Sequence, residues 1–246
     1  MSKINQLFPF IRMEFPVWFE PVVEKVRTKM NEDSTGHDFL HAVRVMELAV
    51  DIADQLGADR DIAMAAGLLH DYYRKEEKQT GRLHYGPEAI RELRRDFGSL
   101  LVPHLEEERF ERVMSAIARH EEYEFTRVGA GKIKMLTIDE QILQDADRID
   151  AIGAVGIGRT FMFGGAHGLP LVEDEALPDT VFDPGLRPRG SVYRHFYEKL
   201  LYLSDGMHTV PGRRLAAERH QFLVGFIKQL ENELKLEPRD LDKYGT

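Results

Sequence analysis

The sequence predicts an all-helical protein. In almost every segment the apolar residues recur every three or four positions, and few stretches alternate as strands do. Several segments open with a proline or a potential capping residue, and a glycine follows the second long apolar stripe. The chain has no internal repeat, no low-complexity tract and no clear linker, so we expect residues 1–246 to form one helical domain.

Individual helices follow from their apolar stripes and end signals. Ser34 or Thr35 can cap the second helix, and Gly57 ends it. The third helix is apolar nearly all round, which predicts a central position. Thr137 and Glu140 have the spacing of a capping box, which starts a further helix. The predicted helices cover residues 16–30, 34–56, 59–72, 87–97, 105–122, 137 to beyond 149, 191–203 and 211–236.

Two stretches interrupt the helical pattern. Residues 74–86 are polar and basic, and residues 164–190 form a long irregular loop rich in glycine and proline. Loops as long as the second often act as lids or binding loops, and a packed surface excursion is an equal alternative. We expect the contacts that discriminate between substrates to lie in these two loops.

The composition limits the partners that the chain can have. The net charge of −9 gives no general attraction to nucleic acid or to anionic lipid. There is no cysteine, so disulfides and thiolate metal ligands are excluded. The N-terminus lacks a signal-peptide pattern, and no apolar run approaches a membrane span. We therefore expect a cytoplasmic protein with no membrane partner and no stable nucleic-acid complex; the sequence gives no oligomeric state.

The order of histidines and aspartates is the most informative feature of the chain. His37 and His41 lie one helical turn apart, and His70 and Asp71 are adjacent at the end of an apolar helix. Aspartates at positions 145, 147 and 150 crowd less than two turns of a third helix. Crowded carboxylates repel unless a cation lies among them, and buried polar groups need partners. Such a set can close around one divalent cation, which acidifies a water and polarises a phosphoryl oxygen.

Each of these features alone has an ordinary explanation. A histidine is usually a surface or hydrogen-bonded core residue, and an adjacent His-Asp pair arises by chance. An acidic run on a helix is usually a solvated face. Their common order on three predicted helices favours a metal-dependent hydrolase over three unrelated explanations.

The same residues resemble the H…HD…D signature of the HD-domain metal-dependent phosphohydrolase superfamily. The order is His41-Ala-Val-Arg44-Val, then His70-Asp71, then Ala146-Asp147-Arg148. Residues 36–41, 67–71, 144–153 and 195–201 are also similar to bacterial single-domain HD hydrolases. The resemblance covers most of the chain, with signature blocks in residues 34–153 and C-terminal helices in 191–236. It implies an all-helical HD-type bundle, a divalent metal and hydrolysis of a phosphate ester or anhydride, often in a nucleotide.

Carried over to this sequence, the resemblance implies that four residues bind the metal: His41, His70, Asp71 and Asp147. The last ligand usually follows a small residue and precedes a basic one, which favours Asp147, while Asp145 stays an alternative. Two nitrogens and two oxygens suit Mn²⁺, Mg²⁺, Fe²⁺, Co²⁺ or Zn²⁺ without singling one out.

His37 is then expected beside the ligands or against the substrate. A second cation that arrives with the substrate is conceivable, with His84 or His120 as additional ligands.

Basic groups should face the charge that develops on the phosphoryl oxygens during hydrolysis. Arg44 shares the helix face of the first ligand, and Arg148 follows the last one. Lys75 lies four residues past Asp71 in the basic loop. His120, at the end of an apolar helix, is a candidate for protonating the leaving oxygen, with a structural role as its alternative. Surface solvation is the alternative for the three basic residues.

The sequence therefore predicts a metal-dependent phosphohydrolase that acts on a small phosphorylated molecule, in particular a nucleotide. Release of phosphate, release of pyrophosphate and phosphodiester cleavage all use the same metal and water, and the sequence does not separate them. The alternative is a metal- and nucleotide-binding regulatory module without turnover. A purely structural helical protein, in which the histidines and aspartates are incidental, is the third hypothesis.

Overall fold

The computed structural model describes residues 14–31, 36–122, 135–173, 190–237, 239–241 and 244. Every regular element within these ranges is helical, which confirms the all-α prediction. The helices are α1 Phe19–Met30, α2 Phe39–Leu56, α3 Arg60–Leu69, α4 Arg74–Thr80, α5 Pro87–Arg119, α6 Ile138–Asp150, α7 Gly153–Ala166, α8 Val192–Glu198 and α9 Val210–Leu234, with a short 3-10 helix at Leu200–Tyr202. Of the described helices, none has the length and apolar content that crossing a membrane requires.

Helices α2 and α3 form the centre of the bundle. Of the described helices, these two pack most extensively against each other, and α6 packs against both. Gly67 permits the close approach, because a Cβ at this position would lie 2.6 Å from the Cα of Met46. The tight crossing brings the C-terminal end of α3 beside the first turns of α2.

The predicted capping box of α6 is confirmed. The Thr137 hydroxyl accepts a hydrogen bond from the Glu140 N–H at 3.4 Å, and the Glu140 carboxylate accepts one from the Thr137 N–H at 2.8 Å. Ser191 caps α8 by accepting from the Arg194 N–H at 3.1 Å. These caps fix the N-terminal ends of α6 and α8.

Two helix boundaries differ from the prediction. Helix α2 begins at Phe39, because Asp38 caps it by accepting a hydrogen bond from the His41 N–H at 2.9 Å. The predicted capping residues 34 and 35 lie outside the described residues. The helix that begins after Thr137 ends at Asp150, because Gly153, with a φ of +75°, interrupts the helical backbone before α7.

The predicted loops also need correction. Residues 74–86 contain a helix, α4, because arginine, lysine, glutamate and glutamine are good helix formers even where no apolar stripe marks them. Residues 164–166 complete α7, and residues 174–189 of the predicted irregular loop lie outside the described residues.

The predicted helices 87–97 and 105–122 are joined in α5, which is interrupted at one residue. Glu106 has a φ of 62° and a ψ of 162°, and the chain is helical on both sides of it. The first segment therefore extends further than predicted. The backbone conformation of Glu106 belongs to a region that essentially only glycine populates, so its side chain carries a strain cost.

We expect Glu106→Gly to raise the free energy of unfolding by about 1 kcal/mol, because glycine relieves this strain. The matched control is Glu107→Gly, in the helical backbone next to it, which should lower the free energy of unfolding by about 1 kcal/mol. Urea unfolding followed by circular dichroism measures both. A loss of stability in Glu106→Gly equal to that of the control would contradict the strained conformation.

Candidate metal centre

Four side chains from three places in the bundle converge at one point. His41 projects from α2, His70 and Asp71 follow α3, and Asp147 lies on α6. The His41 Nε2 lies 3.1 Å from the His70 Nε2, 3.3 Å from an Asp71 oxygen and 3.6 Å from an Asp147 oxygen. The His70 Nε2 lies 3.7 Å from each of the same two oxygens. The structure thus brings His41, His70 and Asp71 together at one point, and an Asp147 oxygen lies 3.6–3.7 Å from both histidine nitrogens.

The spacing of these donors fits a single divalent cation. With metal–ligand bonds of about 2.1 Å, neighbouring ligands lie about 3.0 Å apart in an octahedron and about 3.4 Å apart in a tetrahedron. The distances of 3.1–3.7 Å between the donors lie close to these values. One proton can bridge one of the five close contacts, whereas a cation satisfies all of them.

The other ring nitrogen of each histidine is already engaged. The His70 Nδ1 lies 2.8 Å from the Gly67 carbonyl oxygen, which can only accept, so Nδ1 carries the proton. The His41 Nδ1 lies 2.8 Å from a carboxylate oxygen of Asp150. Each ring is therefore held in the orientation that directs Nε2 at the cluster, as metal-binding histidines usually are.

Asp150 is the carboxylate that orients His41. It also accepts from the Arg44 Nε at 2.7 Å and from Arg159 at 2.9 Å. Burial alone raises the pKa of Asp150, but the bonds from His41 and Arg44 and the charge of Arg159 hold it far below its usual value. Asp150 is therefore an anion at neutral pH, fixed between two guanidinium groups and one imidazole.

Asp145, the alternative last ligand, has a different environment. Its carboxylate accepts hydrogen bonds from the His208 N–H, the Thr209 N–H and the Thr209 hydroxyl at 2.7–2.8 Å. These contacts fix the N-terminus of α9 to α6. Asp147 lies beside the two histidine nitrogens, whereas Asp145 is hydrogen-bonded to residues 208 and 209. This difference favours Asp147 as the ligand.

A second group of donors lies on the other side of Asp71. Its second oxygen lies 2.9 Å from the His84 Nε2 and 3.9 Å from the His120 Nε2, and these two nitrogens are 3.2 Å apart. The His120 Nδ1 lies 2.7 Å from the Ile117 carbonyl oxygen. This contact has the same form as the one between the His70 Nδ1 and the Gly67 carbonyl oxygen. Asp71 thus stands between two clusters, each with two histidine Nε2 atoms.

Charges shift the pKa values of these groups in different directions. Burial lowers the pKa of His70 to about 4, despite the nearby aspartates, so this ring is neutral at pH 7. Burial also disfavours charge on His84, but Asp71 and Glu77 outweigh it and raise the pKa to about 9. Burial alone raises the pKa of Asp71, yet the surrounding histidines hold it well below its usual range. The centre of the site therefore combines an anionic carboxylate with a neutral imidazole.

One side of the first cluster is open. The side chains of His41 and His70 are fully buried, whereas that of Asp147 is 15% exposed. Solvent therefore reaches the cluster on the side of Asp147. Four protein donors also leave positions free on a six-coordinate cation.

Arg148 makes its hydrogen bonds away from the four predicted ligands. Its guanidinium donates to the carbonyl oxygens of Gly206 and Glu122 and to the Gln144 side chain. Neighbouring residues on a helix point about 100° apart, so Arg148 turns away when Asp147 faces the histidines. Arg148 thus ties α6 to the loops around it, and its role at the phosphoryl group stays a prediction.

The other predicted catalytic residues have distinct positions. Arg44 donates to Asp150, which in turn contacts His41 of the cluster. His120 belongs to the second cluster. Lys75 lies in the first turn of α4, beside Arg74, whose guanidinium lies 2.9 Å from the His84 Nδ1 and 3.1 Å from a Glu121 oxygen.

Sequence reasoning did not single out Arg74, Arg159 or the role of Asp150. Arg74 lies in a polar stretch that the sequence predicts to be a loop, and Arg159 lies on α7, for which the sequence predicts no separate helix. The one usable signal was the position of Asp150, three residues after Asp147, which places both on one helix face.

The chain is similar to proteins that contain an HD domain. A family model described as HD domain matches residues 38–152. The protein YpgQ of Bacillus subtilis is 37% identical over 209 residues, covering 85% of this chain and 90% of YpgQ. An HD-superfamily hydrolase from Bacillus thuringiensis has a structure with a TM-score of 0.61 and 32% identity, covering 89% of this chain and 97% of that one.

The chain belongs to the HD-domain phosphohydrolase superfamily. Another similar structure is that of YpgQ in complex with ADP, with a TM-score of 0.66 and 34% identity over 88% of this chain and 94% of that chain. Members of this superfamily are metal-dependent phosphohydrolases, and the buried histidines and aspartates of this HD domain fit a divalent metal site.

We expect Asp150→Ala to weaken Mn²⁺ binding by the HD domain about 10- to 100-fold, because His41 loses the partner that orients its ring. Titration calorimetry measures the affinity, and circular dichroism checks that the variant folds. The control is Asp51→Ala, which removes an exposed carboxylate from α2, the helix that carries His41. Equal Mn²⁺ affinity in wild type and Asp150→Ala would exclude the orienting role.

Proposed function

We propose that this protein hydrolyses a small phosphorylated substrate, in particular a nucleotide, with a divalent cation held by His41, His70, Asp71 and Asp147. The observation that carries the proposal is the 3.1 Å approach of the His41 and His70 Nε2 atoms, each of which lies 3.3–3.7 Å from an oxygen of Asp71 and an oxygen of Asp147. A cation bound there lowers the pKa of a water molecule and polarises a phosphoryl oxygen.

The residues of the chain prepare this chemistry. His41 and His70 direct their Nε2 atoms at the cluster because Asp150 and the Gly67 carbonyl accept hydrogen bonds from their Nδ1 atoms. Arg44 and Arg159 keep Asp150 ionised, so that it accepts from His41 instead of competing for a proton. Arg44 is thus better described as a positioning residue than as the phosphoryl contact that the sequence suggested.

Arg74 and Lys199 are the basic groups that we expect to face the phosphoryl oxygens. Arg74 lies against the second cluster through His84 and Glu121. Lys199 follows α8 and lies within electrostatic range of Asp147 and Glu121; burial lowers its pKa, and these two carboxylates oppose that effect. Although the chain carries a net charge of −9, the two cationic groups give the entrance to the site a local attraction for phosphate.

His120 fits a ligand better than a proton donor. Its Nδ1 proton is donated to the Ile117 carbonyl, and its Nε2 faces Asp71 and His84. We assign His84 and His120 to a second cation that accompanies the substrate and shares Asp71 with the first. The nearby Arg74 guanidinium, 2.9 Å from the His84 Nδ1, disfavours a second cation until phosphate contributes negative charge.

Metal counting tests this assignment. We expect about one Mn²⁺ per chain without a phosphate ligand and about two with a non-hydrolysable nucleotide, since the added negative charge offsets that of Arg74. His84→Ala should lose only the nucleotide-dependent ion, as measured by equilibrium dialysis and elemental analysis. His104→Ala, on the interrupted helix α5, is the control. Nucleotide-dependent uptake that survives in His84→Ala would refute the second site.

The proposal of a nucleotide rests on a relative. YpgQ, 37% identical to this chain, has been solved with ADP. A nucleotide brings phosphates to a metal-dependent hydrolase and supplies the leaving oxygen that its water must displace. Release of phosphate and release of pyrophosphate are both compatible with the geometry.

A nucleotide panel tests the activity itself. With Mn²⁺ and purified protein, we expect phosphate or pyrophosphate release that EDTA abolishes and excess Mn²⁺ restores. Asp71→Asn should reduce the rate by about 10³-fold or more, because this residue touches both clusters. Asp54→Asn, which changes an exposed aspartate on α2, should keep the wild-type rate.

Wild-type protein that binds Mn²⁺ and nucleotide but releases no product would contradict the enzyme and support the regulatory module. Release that continues unchanged in Asp71→Asn would point to a contaminating hydrolase.

A further inference from the structure

A series of aromatic rings leads away from the candidate metal centre towards α7. The ring centroid of His37 lies 5.6 Å from that of His41, and the ring of Phe163 follows at 6.3 Å from His37. The His167 ring then lies 4.1 Å from Phe163, with 33° between the two planes. Phe163 is half-buried and His167 is exposed, so the outer end of the series faces solvent.

The position of Phe163 relative to the cluster is fixed by close packing. Four residues before it on α7, Arg159 donates to the Gly36 carbonyl at 2.7 Å and to Asp150 at 2.9 Å. A Cβ at Gly36 would lie 3.2 Å from the Arg159 Cβ, so the backbone that leads into His37 packs directly on α7. The helix that carries the aromatic pair is thereby tied to both ends of the His37–His41 segment.

His167 is also held in place. Its backbone N–H donates to the Phe163 carbonyl at 3.1 Å, and its ring Nδ1 lies 2.8 Å from the same oxygen. The carbonyl can only accept, so Nδ1 is the donor and Nε2 is left as an acceptor. This tilted pair of rings at a helix end provides an apolar surface beside a ring nitrogen that can accept a hydrogen bond.

We propose that Phe163 and His167 bind the base of the nucleotide whose phosphates lie at the metal centre. This inference rests on the proposed function and extends it, because it places the specificity for a nucleoside at the C-terminal end of α7. Every nucleobase has a flat face that stacks on aromatic side chains, whatever its hydrogen-bonding edge. The ring centroids lie 5.6 Å apart from His41 to His37 and 6.3 Å apart from His37 to Phe163. A ribose with its phosphates spans a distance similar to these two together.

Charge favours this orientation of the substrate over the reverse. Arg74 and Lys199 lie near the carboxylates of the clusters and suit phosphate oxygens. The C-terminal end of α7 carries the negative end of the helix dipole, which disfavours phosphate and tolerates a neutral base. The phosphates therefore belong at the metal centre and the base at the aromatic pair.

Two matched ligands test the inference: ADP, which has a base, and inorganic pyrophosphate, which has none. Each is titrated calorimetrically into wild type, Phe163→Ala and Phe163→Trp in the presence of Mn²⁺. The control variant is Met162→Ala, next to Phe163 on α7 and 49% exposed. Circular dichroism verifies that each variant is folded.

We expect Phe163→Ala to weaken ADP binding about tenfold and pyrophosphate binding about twofold or less, because only ADP loses a stacking partner. Phe163→Trp should restore ADP binding, and Met162→Ala should bind both ligands as the wild type does. Unchanged ADP affinity in Phe163→Ala, equal weakening of both ligands, or failure of the wild type to bind ADP would each overturn the inference.

Binding and turnover separate the two proposals. A wild type that binds ADP in the Phe163-dependent manner but hydrolyses no nucleotide would refute the proposed function and retain the base site. A wild type that hydrolyses nucleotides while Phe163→Ala binds ADP normally would refute the base site alone.

Discussion

The close approach of two buried imidazole nitrogens is the constraint around which the protein is organised. The Nε2 atoms of His41 and His70 lie 3.1 Å apart, and both rings are held by partners on Nδ1. Two imidazole lone pairs at this distance repel unless a proton or a cation lies between them, and Asp71 and Asp147 add negative charge beside them. Only a positive charge placed among them makes the arrangement favourable.

The helical scaffold serves to hold this unfavourable arrangement together. Gly67 lets α3 approach α2 closely enough for the two histidines to meet. The Asp145 carboxylate fixes α9 to α6, and the buried guanidinium of Arg148 fixes the loops beside it. The residues flanking Asp147 thus hold the helix in place, while Asp147 itself is directed at the cluster. Helix periodicity accounts for this division, because neighbouring residues point to different sides.

Much of this organisation follows from the sequence. The apolar stripes predict the helices, and the capping box predicts the start of α6 because this signal is local. The order of His41, His70, Asp71 and Asp147 identifies a set of side chains that the structure brings together.

What the sequence does not predict depends on contacts between distant segments. Arg159 contacts Asp150 because the chain turns at Gly153, where α7 begins. The sequence contains many glycines and does not indicate which of them turns the chain. Arg148 was expected at the phosphate because it follows Asp147, but its direction depends on which helix face α6 buries. Helix α4 was missed because its charged residues form no apolar stripe. The spacing of apolar residues along the chain does not indicate these contacts and directions, because they depend on how the helices pack.

The most direct test of the central claim is a crystal structure of the Mn²⁺-loaded protein with anomalous data collected at the manganese edge. The account predicts an anomalous peak within about 2.0–2.3 Å of the Nε2 atoms of His41 and His70 and of oxygens of Asp71 and Asp147. Peaks confined to exposed carboxylates, with the two imidazoles still in contact and no ion between them, would contradict it.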